Sequence, residues 1–117
     1  QGNLETIVVP IVAQDTAQLD KQIKGIWRGF SANLGSKNID NAVALIGQQS
    51  REKYRLAFNK LLPNLPSIVA SFSPMKKATI TNLFGEYIVT RSINGKTNLF
   101  LIYFHRGSDG VWRIDSL

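Results

Sequence analysis

The side chain best suited to move a proton near neutral pH is His105, the only histidine among the 117 residues. A general base needs an orienting partner and a substrate proton within hydrogen-bond reach. No spacing around His105 supplies that partner, and the residue lies one or two positions before a predicted turn, where strands emerge into water. The pattern favours a half-exposed histidine at a strand end over a catalytic base.

The carboxylates form no catalytic set either. Asp115 alternates to the same side of its strand as Val111 and Arg113, and we expect it to pair with Arg91 or Arg113. A surface pair of this kind contributes only about 0–1 kcal/mol. With one histidine and no cysteine, the chain also lacks the ligands that zinc and iron sites require. The sequence therefore predicts no catalytic residues, no metal and no cofactor.

The aromatic side chains have two interpretations. Trp27 and Tyr54 fall on inward-facing helical stripes, and large rings of about 150–250 Å² are what a small core is built from. Core packing is the favoured interpretation. The functional alternative is that the hydroxyl groups of Tyr54, Tyr87 and Tyr103 line the mouth of a pocket and orient a ligand.

Composition restricts the partners. Fourteen Lys and Arg against eight Asp and Glu give a net charge of +6, but the basic residues are scattered along the chain, which disfavours a nucleic-acid footprint. The candidates for such a footprint are Lys21, Lys24, Arg28, Lys76 and Lys77. No apolar run approaches the roughly 18 residues that cross a bilayer. The 44% apolar content is ordinary for one globular domain.

The first half of the chain has helical periodicity. Apolar residues recur at steps of three and four from Leu19 to Leu34, which predicts a long amphipathic helix that Gly35 ends in a left-handed conformation. Two shorter helices are predicted next, the first around Ile39 to Ile46 and the second after Ser50, with Tyr54 turned inward. Proline residues then break the pattern.

From Lys76 onward the period changes to two, which predicts strands. Asn94-Gly95 and Asp109-Gly110 are hairpin signals. The segment between them is apolar on both faces, so we expect that strand to be covered on both faces and to lie near the middle of the sheet. The final segment pairs back, with Trp112 and Ile114 inward. Helices followed by strands indicate an α+β fold with N-terminal helices packed on a curved antiparallel sheet.

The domain organisation follows from the same pass. Residues 1–14 read as an edge strand, because Pro10 lacks a backbone donor, or as a linker from a preceding module. Residues 15–117 read as a single α+β domain. The chain begins at Gln1 without methionine or signal peptide, which predicts a processed chain or an excised piece.

Three segments resemble a known superfamily: a long first helix containing "WRGF", a short helix "IDNAVALI" and the ending "YFHRGSDGVWRIDSL". Together they resemble the nuclear transport factor two-like (cystatin-like) superfamily, which includes ketosteroid isomerases and polyketide cyclases. The resemblance implies a cone in which a curved sheet wraps a long helix and leaves a pocket at one end. The ending is most similar to small C-terminal domains of large bacterial surface proteins, which implies an extracytoplasmic or cell-surface location.

Three functions are therefore compared. The favoured one is a non-catalytic binding or accessory domain of a larger exported protein, with a small apolar pocket for an unknown small ligand or a protein partner. The second is an enzyme of the isomerase or cyclase type, and the third is a basic nucleic-acid-binding module. Homodimerisation is expected, since superfamily sheets often pack face to face. The pocket candidates are Trp27, Tyr54, Tyr87, Tyr103, His105 and Asp115.

Overall fold

The computed structural model describes residues 16–117, and the predicted N-terminal strand or linker lies outside them. Within this part of the chain, four α-helices precede four strands, with short 3₁₀ turns at Gln48–Ser50 and Leu62–Asn64. The helices are α1 (Thr16–Gly35), α2 (Ile39–Val43), α3 (Arg51–Lys60) and α4 (Leu65–Ala70). The strands are β1 (Lys76–Ile80), β2 (Phe84–Ile93), β3 (Lys96–Arg106) and β4 (Trp112–Ser116). The α+β class predicted from the order of periodicities is confirmed.

Helix α1 lies along the core, and its buried residues Leu19, Ile23, Phe30 and Leu34 are separated by four or seven positions along one stripe. The predicted left-handed Gly35 is wrong. The helix continues through Gly35, and the left-handed residue is Lys37, with φ of 66°. The amide of Asn38 then donates to the carbonyl of Asn33 at 2.8 Å and that of Lys37 to Leu34 at 3.1 Å, which is the Schellman pattern.

The three short helices bring a few large side chains to the core. Asn38 caps α2 by accepting a hydrogen bond from the amide of Asn41. Tyr54 and Phe58 are the buried residues of α3, and Leu65 is the buried residue of α4. These helices and α1 pack on the same side of the sheet and form one apolar core with it.

The strands form one antiparallel meander in the order β1-β2-β3-β4. Asn94 and Gly95, with φ of 52° and 79°, make the left-handed turn that the sequence predicts between β2 and β3. Gly110, also at 79°, lies in the turn before β4. The longest pairing in the sheet joins β2 to β3. It runs from Phe84 opposite His105 to Ile93 opposite Lys96.

The two faces of the sheet differ. The inner face, which the helices cover, carries Tyr87, Val89, Ile102, Phe104 and Ile114, all at most 2% exposed. On the outer face of β3 the described residues leave the apolar side chains open: Leu99 is 60% exposed, Leu101 39% and Tyr103 38%. The expectation that β3 is covered on both faces is therefore wrong for residues 16–117, because the described helices cover only one face. Its expected position inside the sheet is confirmed.

Segments outside the named strands extend the sheet at two places. Along β4, the amide of Ile114 donates to the carbonyl of Leu45 at 2.9 Å and the amide of Gly47 donates to the carbonyl of Ile114 at 2.8 Å. Along the far half of β2, the amide of Ser73 donates to the carbonyl of Thr90 at 2.8 Å. No helix between residues 16 and 117 is long and apolar enough to cross a membrane.

Candidate functional site

An apolar cavity of about 250 Å³ lies between the helices and the inner face of the sheet. Helices α1, α3 and α4 form one wall, and strands β2 and β3 form the other. The residues that line it are Trp27, Phe30, Leu34, Phe58, Leu61, Leu65, Ile68, Phe72, Val89, Arg91, Phe100, Ile102 and Leu117. All but Arg91 are apolar or aromatic, so the cavity suits a ligand with an apolar body.

A row of aromatic rings forms the floor of this cavity. Phe72 lies 5.9 Å from Trp27 between ring centroids, and Trp27 stacks on Phe30 at 5.3 Å. Phe30 continues to Phe58 at 5.9 Å, and Phe58 to Tyr54 at 5.9 Å. Tilted and offset rings at 4.5–7 Å are favourable pairs, so neighbouring rings of the row stabilise one another.

Arg91 is the one charged residue that lines the cavity. It follows Tyr87 and Val89 at steps of two along β2, so it lies on the same inner face, just beyond the fully buried stripe. Its Nε donates to Ser71 Oγ at 2.6 Å, and Ser71 Oγ donates in turn to the carbonyl of Ile68 at 2.6 Å. The guanidinium is therefore fixed at the rim by a residue that ends α4.

Of the predicted pocket residues, Trp27 lines the cavity with its half-buried indole. Tyr54 contributes its ring to the aromatic row, but its hydroxyl does not face a ligand. It accepts a hydrogen bond from the amide of Leu117 at 3.0 Å and donates to the carbonyl of the same residue at 3.2 Å. Tyr54 thus fastens the end of the described chain to α3.

Tyr87 lies under α1 and is fully buried. Its hydroxyl donates to Asp20 Oδ1 at 2.6 Å. Burial, and then the adjacent Asp20 carboxylate, raise the pKa of Tyr87 well above its usual value. For Asp20, burial opposes ionisation, but the Tyr87 hydrogen bond and the nearby Lys24 ammonium outweigh it and lower its pKa. The hydrogen bond between Tyr87 and Asp20 joins the sheet to α1, so the Tyr87 hydroxyl is not a donor to a ligand in the cavity.

The other three predicted residues lie on the opposite side of the sheet from the cavity. Tyr103 is on the outer face, where a hydrogen bond to Glu86 raises the pKa of its hydroxyl. His105 is exposed, with its ring 5.1 Å from that of Phe84. His105 and Asp115 both line a separate surface groove of about 620 Å³.

The predicted ion pair of Asp115 with Arg91 or Arg113 is wrong among the described residues. Arg113 Nη2 pairs with Asp109 Oδ2 at 2.9 Å across the turn before β4. Arg91 lies on the inner face, on the other side of the sheet from Asp115. The prediction was wrong because alternation along a strand gives the face on which a residue lies but does not exclude a nearer partner for Arg113 in the adjoining turn.

The six predicted residues therefore occupy three places: Trp27 in the cavity, Tyr54 and Tyr87 in structural hydrogen bonds, and Tyr103, His105 and Asp115 outside. The six side chains do not converge on one cavity. The enzyme interpretation needs such convergence. Among residues 16–117, no three His, Asp or Glu side chains lie close enough together to hold a metal ion.

Sequence reasoning missed Arg91 and Ser71 as site residues. The signal was present for Arg91, because its alternation with Tyr87 and Val89 places it on the inner face. No sequence signal marks Ser71, which reaches Arg91 because residues 72–73 bridge to the far half of β2. Comparison of the chain with protein-family models, curated proteins and solved structures found no match.

Proposed function

We propose that this domain is a non-catalytic binding module that holds a small apolar ligand in the cavity between α1, α4 and the inner face of the sheet. The observation that carries the proposal is the aromatic-floored cavity of about 250 Å³ with one charged residue at its rim. At the roughly 30 Å³ that one water occupies in the liquid, this space takes about eight non-hydrogen atoms. The ligand is therefore small.

Two observations favour binding over catalysis. The residues that line the cavity include no histidine, aspartate or glutamate, so proton transfer to a ligand there has no obvious base. His105 and Asp115, which could serve in acid–base chemistry, line a groove on the other side of the sheet. The free energy of ligand binding in the cavity comes from the hydrophobic effect, at about 25 cal/mol per Å² of apolar surface removed from water.

The test is binding of 1-octanol, whose eight-carbon tail matches the cavity, observed by ligand-detected NMR. We expect saturable binding by the wild-type protein and its loss in Ile68→Trp, which adds bulk at a half-buried cavity position. Leu83→Trp is the matched control, because Leu83 is 54% exposed and does not line the cavity. Octanol binding unchanged in Ile68→Trp, or absent in the wild type, contradicts the proposal.

Three further expectations stay predictions with their own measurements. Turnover of a small carbonyl substrate that His105→Ala or Asp115→Asn abolishes would establish the enzyme alternative. Binding to DNA or RNA that weakens steeply with salt would establish the nucleic-acid alternative. Light scattering decides homodimerisation. The place of the domain in a larger exported protein, and its cell-surface location, rest on the sequence resemblance.

A further inference from the structure

We infer that the ligand of this cavity carries a carboxylate, and that Arg91 binds it while the apolar tail lies over the aromatic floor. The inference rests on the proposed function, because it needs the cavity to be a binding site. It adds the chemical class of the ligand and the residue that selects it. The observations behind it are the charge, the position and the bonding of Arg91.

Arg91 has no carboxylate partner among the described residues. The acids of residues 16–117 have partners elsewhere: Asp20 pairs with Lys24, and Asp40 and Glu52 with Arg55. Asp109 pairs with Arg113, and a hydrogen bond joins Glu86 to Tyr103. The remaining acid, Asp115, lies across the sheet. Among residues 16–117, therefore, no carboxylate pairs with this half-buried guanidinium beside an apolar surface, and an anionic ligand would offset the cost of that burial.

The hydrogen bond from Arg91 to Ser71 leaves the terminal N–H groups of the guanidinium available for a ligand. Ser71 accepts from Nε, while an arginine has five N–H donors, so the four on the two terminal nitrogens remain for a ligand. Two of these can bind both oxygens of a carboxylate at once, a geometry that lysine does not reproduce. The Ser71 hydrogen bond also fixes the plane of the guanidinium before the ligand arrives, which lowers the entropy lost on binding.

The position of Arg91 matches an amphipathic ligand. Arg91 lies at the end of an inner stripe that continues from Tyr87 and Val89, and Val89 and Phe100 line the cavity beside it. A ligand with its tail over Trp27 and Phe30 therefore has its head group at the rim. A single positive charge at that point matches the single negative charge of a carboxylate. A straight-chain or aryl-substituted carboxylic acid of about eight carbons fits both the charge and the volume.

The experiment compares three linear probes of eight carbons each that differ in head group: octanoate, 1-octanol and octylammonium. Binding is measured by calorimetry and by ligand-detected NMR at pH 7. We expect octanoate to bind about 10-fold or more tighter than 1-octanol, since charge-assisted hydrogen bonds are about twice as strong as neutral ones. Octylammonium should bind more weakly than 1-octanol, because it places a second cation at the rim.

The variants assign the preference to Arg91. Arg91→Gln should bring octanoate to the affinity of 1-octanol while leaving 1-octanol within about twofold of wild type. Arg28→Gln is the matched control with the same change of charge on an exposed position of α1, and it should keep the preference. Ser71→Ala should reduce the octanoate preference without changing 1-octanol binding, because Ser71 acts by positioning Arg91.

The outcomes separate the two proposals. If 1-octanol and octanoate bind equally to the wild-type protein, the carboxylate inference is wrong and the apolar binding module stands. If octanoate is preferred but the preference survives in Arg91→Gln, Arg91 is not the selecting residue and the inference is also wrong. If neither binds, both proposals fall. The wild-type comparison needs no variant, so an Arg91→Gln protein that fails to fold does not prevent the test.

Discussion

Gly85 on β2 lies next to Ile23 of helix α1, and replacing it tests the packing of the core. A Cβ atom added at Gly85 would lie 2.9 Å from Ile23 Cδ1 and 3.2 Å from Tyr87 Cε1. Both partners are fully buried, so neither can move into solvent to make room. We expect Gly85→Ala to destabilise the protein because the added methyl overfills a closed part of the core.

The magnitude follows from two opposing effects. Overpacking a core by one carbon costs about 1–3 kcal/mol. Alanine in place of glycine restrains the unfolded chain and returns about 0.5–1 kcal/mol. The net loss in the free energy of unfolding should therefore lie between about 0 and 2.5 kcal/mol, with a central value of about 1 kcal/mol. Gly25→Ala in α1 is the matched control, since an added Cβ there meets nothing within 4 Å. That variant should be stabilised by about 0.5–1 kcal/mol.

The assay is urea denaturation followed by tryptophan fluorescence, with the midpoint compared at unchanged slope. A double variant tests the cause, because Ile23→Val removes the Cδ1 atom nearest to the added methyl. On its own Ile23→Val should cost about 0.5–1.5 kcal/mol. Combined with Gly85→Ala, the total loss should be smaller than the sum of the two by about 1 kcal/mol. A Gly85→Ala protein more stable than wild type, or strictly additive losses, would refute the close approach of α1 to Gly85.

Three other substitutions test single hydrogen bonds and backbone conformations by the same denaturation assay. Lys37→Gly should raise the free energy of unfolding by about 0.5–1 kcal/mol, because Lys37 holds a φ of 66° that glycine adopts freely; a loss of stability would contradict the assigned helix end. Tyr54→Phe should lower it by about 1–2 kcal/mol, since both hydrogen bonds to Leu117 are lost while the ring remains; no change would show that the bonds contribute nothing. Tyr87→Phe should lower it by about 1 kcal/mol at pH 7, where the Tyr87–Asp20 bond is intact. Because the pKa of Tyr87 is higher in the folded than in the unfolded protein, Tyr87 contributes stability that is fully present below its unfolded pKa of 10.0. That contribution is lost as the pH rises further, by about 1.4 kcal/mol per pH unit. The difference between wild type and Tyr87→Phe should therefore shrink above pH 10, and a constant difference would contradict the raised pKa.

The periodicity of the sequence predicts the helices and strands well, because a single buried face imposes a regular repeat. The long helix and the inward Trp112 and Ile114 follow from it, and the Asn94-Gly95 turn follows from the tolerance of both residues for positive φ. Lys37 was missed as the left-handed residue because glycine is only the most permissive choice there. A Cβ added at Gly35 would lie 3.5 Å from Val69 Cγ1, an ordinary van der Waals distance, so no close contact requires glycine at this position.

The candidate site was harder to predict than the fold. Trp27 was expected at a pocket, since the helical stripe fixes which way it points. Tyr103 and His105 were named as pocket candidates, but β3 is apolar on both faces, and a sequence does not say which of two apolar faces the helices cover. Arg91 and Ser71 are in contact because Phe72 forms an isolated β-bridge with Arg91. A contact between residues so far apart in the chain produces no periodic pattern in the sequence.

The way the sheet ends at its two sides has a consequence for how copies of this domain can associate. On the side of β4, Leu45 and Gly47 already occupy the backbone groups of Ile114. On the other side, β1 has five residues, begins with Lys76 and Lys77, and shifts register after Lys77. Short, lysine-bearing and irregular borders resist the addition of further strands from neighbouring chains. Concentrated solutions of the folded domain should therefore not seed cross-β fibrils through these two borders of the described sheet.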